Sequence, residues 1–467
     1  MATIQIQTER IRALNDAPTR KGDYVLYWMQ QSQRAECNHA LEYAVRRANE
    51  RGVTLLVVFG LVDDYPEANL RHYRFLLEGL RDVQSALARR GIKMIVERGE
   101  PPEVALRHAR SAALVVCDRG YLRHQKAWRN RVAHEAGRSV VQVESDVVVP
   151  VDTVTNKAEY AARTIRPKIH RHLQRFLVAL KTTPLGRDSL GLRVPGLDLG
   201  DLDGVLARLT VDGSVTPVSA HFRGGTTEAK RLLRQFLAQR FSRYGINRNR
   251  PENDDVSHMS MYLHFGQISP LTIALEVQTA ARGSRTDRES YLEELIVRRE
   301  LAANFTNFTR DYDRFSSLPQ WARRTLAEHQ SDPREHRYTR RELEAAATHD
   351  PYWNAAMREM KHTGFMHNYM RMYWGKKILE WMDSPKRAYE TALALNNKYF
   401  LDGRDPASYA NVGWIFGLHD RPWFERPIYG KVRYMSGSGL ERKCDIDGYV
   451  RKVEALTRTD AEGTPKR

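Results

Sequence analysis

Val53-Thr-Leu-Leu-Val-Val-Phe59 is an almost unbroken apolar, β-branched run, the composition of a strand covered on both faces. Helical spacing of apolar residues precedes it over residues 38–50 and follows it over 71–90. The alternation continues outward in both directions. Tyr24-Val-Leu-Tyr-Trp28 lies upstream; Ile92-Lys-Met-Ile-Val96, Ala113-Leu-Val-Val-Cys117 and Ser139-Val-Val-Gln-Val143 lie downstream, with helical patterns at 102–110 and 125–135 between them. Strands alternating with helices predict an α/β domain over residues 1–180, a doubly wound, Rossmann-like parallel sheet. Ligands of such sheets sit at the carboxyl ends of the strands. No GxGxxG follows the first strand, so a dinucleotide fingerprint is missing.

Residues 181–225 change character. Thr-Thr-Pro-Leu-Gly, Val-Pro-Gly-Leu-Asp-Leu-Gly and Gly-Ser-Val-Thr-Pro read as an interdomain linker with turns and one short helix at 202–208. From 226 to 467 the pattern predicts an all-α domain, with helices over 226–242, 270–282, 287–304, 340–347, 352–361, 364–382 and 385–395. Residues 396–449 read as loop-rich, a composition that often carries function.

The chain has 467 residues and 42% hydrophobic content, enough for more than one ordinary core. No stretch approaches a membrane span, and residues 1–23 lack the apolar segment of a secretory signal, so the expected compartment is the cytoplasm. Cys37, Cys117 and Cys444 are far apart and read as free thiols; no histidine or cysteine spacing suggests a metal. His170 and His172, the one close histidine pair, read as surface residues at strand spacing. The formal charge of +17 points to a polyanionic partner, of which nucleic acid is the commonest.

Five blocks carry chemistry. In Thr363-Gly-Phe-Met-His-Asn-Tyr-Met-Arg-Met-Tyr-Trp-Gly-Lys-Lys-Ile-Leu-Glu-Trp381, helical spacing places Asn368, Arg371, Met372 and Gly375 on one side. Gly375 would let a flat ligand approach the backbone, and Trp374 and Trp381 stack along a neighbouring stripe. Ser257 and Ser260 offer hydroxyls and N–H groups at a helix start, an anion site if not simply a cap. Glu294 and Arg298 stand at i, i+4, a surface pair unless Glu294 lines a cavity at the edge of the core marked by Leu295 and Leu301. Asp402, in Asn396-Asn-Lys-Tyr-Phe-Leu-Asp402-Gly-Arg-Asp-Pro406, is placed to pair with Arg371. Trp414, Trp423 and Arg433 in the following loops suit stacking on bases and contacts with phosphates.

Taken together, Tyr27-Trp-Met-Gln-Gln-Ser-Gln-Arg34, Tyr262-Leu-His-Phe-Gly-Gln267, Glu293-Glu-Leu-Ile-Val-Arg-Arg-Glu300, Thr363-Gly-Phe-Met-His-Asn368, Leu401-Asp-Gly-Arg-Asp-Pro406 and Gly417-Leu-His-Asp420 resemble the class II cyclobutane pyrimidine dimer DNA photolyases of the photolyase–cryptochrome superfamily. The resemblance implies an α/β antenna domain joined to an all-α domain that holds FAD, active when reduced, and light-driven splitting of dimers in DNA. It assigns Tyr244, Ser257, His258, Met259 and Ser260 to the diphosphate, and Asn368, Arg371 and Asp402 to the flavin, with Asn396 at its N5. It gives Glu294 and Met372 to the dimer and Arg248 and Trp414 to the lesion pocket. Trp423 and Arg433 would fill the gap left by the flipped lesion. An electron route would run from Trp374 through Trp353 to Trp381 near solvent.

Two departures stand out. Val297 replaces a tryptophan of other classes, leaving Trp414 to supply that contact, and Asp405-Pro-Ala-Ser-Tyr409 departs from the family's Asp-Pro-Asn-Gly-Tyr. A second, antenna chromophore of deazaflavin or folate type is implied but not named by any residue set. The resemblance further implies a monomer without membrane contact, working in a bacterial cytoplasm or nucleoid. The alternatives are a cryptochrome-like blue-light photoreceptor with FAD and a flavin-free nucleic-acid-binding protein. The mere eighteen or so residues after Tyr449 favour repair over signalling.

Overall fold

A strand buried on both faces needs apolar side chains at every position, and that requirement sets the architecture. The structure, a computed structural model, describes residues 6–462. Strands β1 (Ile11–Ala13), β2 (Tyr24–Trp28), β3 (Thr54–Leu61), β4 (Lys93–Arg98), β5 (Ala112–Asp118) and β6 (Val140–Val143) form one sheet in the order β1-β6-β5-β2-β3-β4. Every pairing is parallel except that of β1 with β6. Alternate residues feed two cores. Val25, Tyr27, Leu55 and Val57 pack with helices α1 (His39–Arg51) and α2 (Leu70–Ala88). Leu26, Trp28, Leu56 and Val58 pack with α3 (Pro101–Ala109) and α4 (Arg123–Glu135). The chain turns back between β2 and β5, which opens a crevice at their carboxyl ends.

Three features depart from the sequence expectations. The short edge strand β1 joins the sheet by nonlocal pairing with residues 141–143. Helix α5 (Ala162–Phe176) buries Ile165, Ile169 and Phe176 in the same cluster as Leu233 and Phe236 of α6 (Thr226–Gln239), so it packs with the helical half. His170 and His172 therefore lie on a helix, not at strand spacing, with His170 exposed. Residues 181–225 form a strap rather than a free tether. Leu197 donates its N–H to the Val96 carbonyl (2.7 Å), and Leu199, Leu202 and Val205 close the α2 side of the sheet.

The helical half comprises α6, α7 (Pro270–Thr279), α8 (Arg285–Leu292), α9 (Arg299–Phe308), α10 (Gln320–Glu328), α11 (Pro351–Thr363), α12 (Asn368–Trp381), α13 (Pro385–Tyr399), α14 (Pro406–Ile415) and α15 (Ile446–Glu462), with shorter turns between. Helices α11, α13 and α14 each begin with proline after a capping side chain: Asp350, Ser384 and Asp405. Helix α14 lies inside the stretch read as loop. Tyr409, Ala410, Val412 and Ile415 are all buried and Asn411 alone is exposed, so apolar positions run round most of the helix and leave no amphipathic period. Between α8 and α9 a π-helical segment, Glu293–Arg298, widens the turn. Arg298 consequently meets Glu293 (3.3 Å) five residues back, not Glu294 as the α-helical spacing suggested. Among the described residues no helix is long and apolar enough to cross a membrane.

Buried arginines join the halves. Arg71 of α2 is 2% exposed and donates to the carbonyls of Thr216 (3.0 Å), Met360 (3.2 Å), Lys361 (2.5 Å) and Tyr399 (2.7 Å). Burial pulls its pKa down to about 10, which still leaves it charged at neutral pH. Arg34 binds Asp146 (2.7 Å) and the Gly266 carbonyl (2.9 Å). Arg71→Met removes the side-chain donor from four carbonyls at once, of which Met360 keeps the Gly364 N–H, and we expect it to lower the unfolding free energy by about 3 kcal/mol. Urea denaturation reads this directly; a loss below about 1 kcal/mol would mean that the carbonyls find other donors.

Candidate functional site

Helix α12 is buried along Met370, Tyr373, Trp374, Ile378 and Leu379, while Asn368 is exposed and Arg371 and Met372 are half-buried. The partly open side is the one that helical spacing singled out. Arg371 donates to Asp402 (2.9 Å) and to the Met366 carbonyl (3.0 Å), and its guanidinium lies 3.8 Å from the centre of the Phe400 ring. The structure thus brings together the cation and carboxylate expected to pair. Buried Asn396 donates to Asn397 (3.0 Å) at the end of α13, just before Asp402. Gly375 plays a different part from the one expected. A Cβ there would meet the Ile415 side chain at 2.1 Å, so this glycine lets α14 pack closely on α12.

The residues assigned to a diphosphate converge through Phe365. His258 adopts φ 56°, shares a hydrogen bond with Asp254 (2.7 Å) and packs edge-on against Phe365 at 4.6 Å. Arg371 lies 5.8 Å from the same ring. Ser257 accepts from Tyr291 (2.8 Å), whose ring packs on Tyr244 at 5.1 Å. Met259 is buried, and exposed Ser260 opens a short helix, Ser260–His264. Three buried polar atoms here have no protein partner: His258 Nδ1, His367 Nε2 and Trp374 Nε1. Burial pushes the His367 imidazole down to about 3, so it stays neutral.

Three indoles run inward through the helical core. Trp353 and Trp374 stack with centroids 6.5 Å apart and planes at 11°, and Trp381 lies 5.6 Å from Trp353. The Trp353 indole N–H donates to the Trp374 carbonyl (2.9 Å), which fixes its ring between the two rings of α12. Trp374 in turn meets Phe400 at 6.5 Å, edge to face, so the row ends beside the ring under Arg371. Trp381 is 2% exposed, not at the solvent boundary where it was expected.

A second cluster faces outward. Arg248 donates to Glu294 (2.6 Å), a nonlocal pair made possible by the π turn. Trp414 sits 5.3 Å from the Lys376 ammonium and 5.4 Å from the Arg433 guanidinium. Arg433 also covers Trp423 at 4.1 Å and approaches Asp420 (3.3 Å). Phe424 and Tyr434, which no sequence signal singled out, are 90% and 39% exposed on the same loop. Exposed rings layered with guanidinium groups suit base stacking and phosphate contact.

Beneath Trp414, Lys376 is fully buried and donates to the Ile415 carbonyl at the end of α14. Burial pushes its pKa down to about 7, with Arg433 adding to the effect and Asp420 opposing it.

A further cleft opens at the carboxyl ends of β2 and β3, against the helical half. It encloses about 700 Å³ of empty space and is lined by Gln30, Gln31, Tyr65, Trp128, His264 and Arg404 among others. The His124 imidazole and the Tyr65 hydroxyl, 2.9 Å apart, brace its wall. Sequence reading anticipated a ligand position there from topology but none of these residues.

The family model described as DNA photolyase matches residues 25–185. A deoxyribodipyrimidine photo-lyase of Methanothermobacter thermautotrophicus is 52% identical, with 97% of this chain and 99% of that protein aligned. Proteins of the same name from Oryza sativa subsp. japonica (98% of this chain, 93% of that one) and Potorous tridactylus (92% and 81%) are each 38% identical. Among solved structures, a class III photolyase of Agrobacterium tumefaciens superposes with a TM-score of 0.72 at 19% identity, covering 97% of this chain and 92% of its own. A Synechocystis cryptochrome gives 0.70 at 16%, covering 92% and 88%. At those identities the likeness speaks for the fold alone.

Lys376 generates a pH prediction. Its folded pKa of about 7 lies below the ordinary lysine value of 10.5, so between these values the unfolded chain binds the extra proton and stability rises with pH. Below pH 7 the full cost of burying the charge remains. Relative to the parent, Lys376→Met should therefore be favoured most at pH 6, with the difference narrowing by at least about 1 kcal/mol toward pH 10. Paired urea titrations measure this; a pH-independent difference would show that the ammonium is not strained by burial.

Proposed function

The chain belongs to the DNA photolyase family, and on that premise we propose that it repairs cyclobutane pyrimidine dimers in DNA with light. It is an enzyme, a carbon–carbon lyase. One observation supports the reading above others: the row of three indoles leads through the core to Phe400 and the Arg371–Asp402 pair.

The residues present fit FAD. Polar atoms without protein partners at His258, His367 and Trp374 surround a half-open helix face that offers an amide and a guanidinium. Tyr244, Ser257, His258, Met259 and Ser260 would take the diphosphate, and Asn368, Arg371, Asn396 and Asp402 the ring system. When bound and reduced, FAD supplies the light absorption and the electron that opens the cyclobutane ring. The protein's share is orientation and charge. Arg371, fixed by Asp402 and the Met366 carbonyl, holds a positive charge where little water enters, so it stabilises negative charge nearby far more than it would in solvent. Glu294 and Met372 would hold the dimer, with Arg248 and Trp414 lining its pocket. Trp423 and Arg433 would enter the gap in the duplex. Trp374, Trp353 and Trp381 would carry electrons inward to restore the reduced state.

We assign the chain to class II, acting as a monomer on chromosomal DNA in the bacterial cytoplasm. Its division would run 1–180 for the antenna domain, 181–225 for the strap and 226–467 for the catalytic domain. The cleft at β2 and β3 is our candidate for an antenna chromophore of deazaflavin or folate type.

Purified protein should be yellow and should clear dimers from an irradiated oligonucleotide under blue light. Glu294→Ala should lower the repair yield per absorbed photon by about tenfold or more while keeping affinity for damaged duplex within a few-fold. An unchanged yield would remove Glu294 from its role. Trp374→Phe should slow light-driven reduction of the bound flavin by at least tenfold, about 1.4 kcal/mol in barrier terms, while leaving repair by chemically pre-reduced protein intact. Parental photoreduction would rule the row out as the route.

A further inference from the structure

The indole row has no exit of its own. Trp381, its outermost member, is 2% exposed, so no dissolved reductant can touch it. What seals it is a second set of rings. Tyr338 meets Trp381 edge to face at 5.2 Å, and His349 does so at 5.3 Å. Tyr338 and His349 are themselves joined: Tyr338 Oη lies 2.8 Å from His349 Nδ1 and accepts the backbone N–H of His349 (2.9 Å). His336 stacks on the far side of His349 at 3.5 Å, with planes at 26°. Tyr338 and His336 are half-buried and His349 is exposed, so the set reaches from a sealed indole to solvent within two rings.

A phenol is a poor one-electron donor while it keeps its proton, because its radical cation is a very strong acid. It becomes a good one when a base at hydrogen-bond distance takes the proton as the electron leaves. The backbone N–H of His349 occupies one lone pair of Tyr338 Oη, and Nδ1 of the same residue stands at hydrogen-bond distance, the acceptor for the phenol proton in the tautomer that protonates Nε2. Electrostatics favour the same direction of travel. The Lys377 ammonium lies 5.8 Å from the Trp381 ring centre, so a positive hole on that buried indole is held beside a cation. Partial desolvation of the ring, then His336, lowers the pKa of His349, with Asp350 opposing and Lys377 adding to the shift, which favours the neutral form that can accept.

We propose that Tyr338 and His349 form the outer terminus of the electron row, where Tyr338 gives an electron to oxidised Trp381 and its hydroxyl proton to His349 Nδ1. The proposal rests on the reading of the row given above. One electron leaves the phenol and refills the indole hole; one proton crosses the 2.8 Å hydrogen bond. The products are neutral Trp381, a neutral Tyr338 phenoxyl radical and a His349 imidazolium. The positive charge has then moved from a buried ring to an exposed one, where water can solvate it. A small thiol in solution returns the missing electron to Tyr338, and the thiol proton or the imidazolium restores the phenol.

Time-resolved absorption and electron paramagnetic resonance on the flavin-loaded protein test this. After a flash, an indole radical should give way to the sharp spectrum of a neutral phenoxyl radical, at least twofold more slowly in D2O. Tyr338→Phe should remove the phenoxyl signal, prolong the indole radical at least tenfold and slow its quenching by added thiol to the same degree. His349→Phe should leave the indole radical but abolish the isotope-sensitive step. Both variants alter half-buried or exposed side chains, and unchanged thermal midpoints would show that they fold. A parent that forms the indole radical but no phenoxyl radical overturns the terminus while leaving the row standing. A parent that forms no indole radical at all removes both.

Discussion

A guanidinium taken out of water needs acceptors for its donors, and four buried arginines that find them for most of their N–H groups, the Arg404 Nε excepted, hold the molecule together. Arg10, Arg34, Arg71 and Arg404 are each no more than 2% exposed. Most of their partners are backbone carbonyls rather than carboxylates. Arg10 reaches the carbonyls of Glu144, Val147 and Val148, and Arg404 reaches the Asn397 carbonyl and the His72 ring. A carbonyl is a fixed acceptor at a fixed place in the fold, so Arg34, Arg71 and Arg404, which bond across the two halves, work only if those halves sit in one relative position. Arg10 pins the 144–148 segment within the α/β half. Arg71 shows this best. It gathers the last carbonyls of α11 and α13, and through them it sets where Trp353 and Asn396 lie.

That placement has chemical consequences. The row from Trp381 through Trp353 to Trp374 depends on ring contacts of 5–7 Å between α11 and α12, and α11 is clamped from outside by a residue of the α/β half. Around the row the packing is dense, and close packing leaves few ways for the rings to reorient. The same rigidity holds Arg371 on Asp402 and Phe400. On the proposed reading, a site that meets a transient negative charge does so with groups already in position, at no reorganisation cost.

Much of this was legible in the chain, and the gaps have physical causes. The inner strands were legible because burial on both faces forces continuous apolar runs; Tyr24–Trp28 coincides with its strand end to end. Strand β1 was not, because three residues, of which only Ile11 is even half-buried, carry no pattern and gain their partner from residues far along the chain. Helix α5 contains Pro167 in its interior and is rich in arginine and histidine, which hid its apolar stripe. Helix α14 failed for the opposite reason, being apolar round most of its circumference, with Asn411 its one exposed residue. In the site, Arg371 with Asp402 and the seven-residue spacing of Trp374 and Trp381 were local enough to infer. Glu294 with Arg248, the intercalated Trp353 ring, and Tyr338 with His349 depend on tertiary neighbours, and Trp353 was placed only by resemblance. The π segment shows how a single extra residue per turn changes a partner: α-helical counting pairs Arg298 with Glu294, whereas the fold pairs it with Glu293.

The outward face raises a question that its charges answer. Its cations are not free: Arg248 sits on Glu294 and Arg433 approaches Asp420. Yet each pair has one partner about 40% exposed at the side chain, Glu294 against Arg248 at 24% and Arg433 against Asp420 at 11%, and pairs open to water on one side contribute only about 0–1 kcal/mol. A phosphate, which releases counterions when neutralised, can displace such a carboxylate at little cost. Meanwhile the pairs keep Trp414 and Trp423 layered beneath guanidinium groups and hold the rings apart and ready to stack. Arg371–Asp402, with side-chain exposures of 19% and 10%, is drier and is tied further by the Met366 carbonyl, so exchange there is disfavoured. The fold therefore grades its ion pairs by depth: those that must part for a polyanion are wet, and the one that must stay is sheltered.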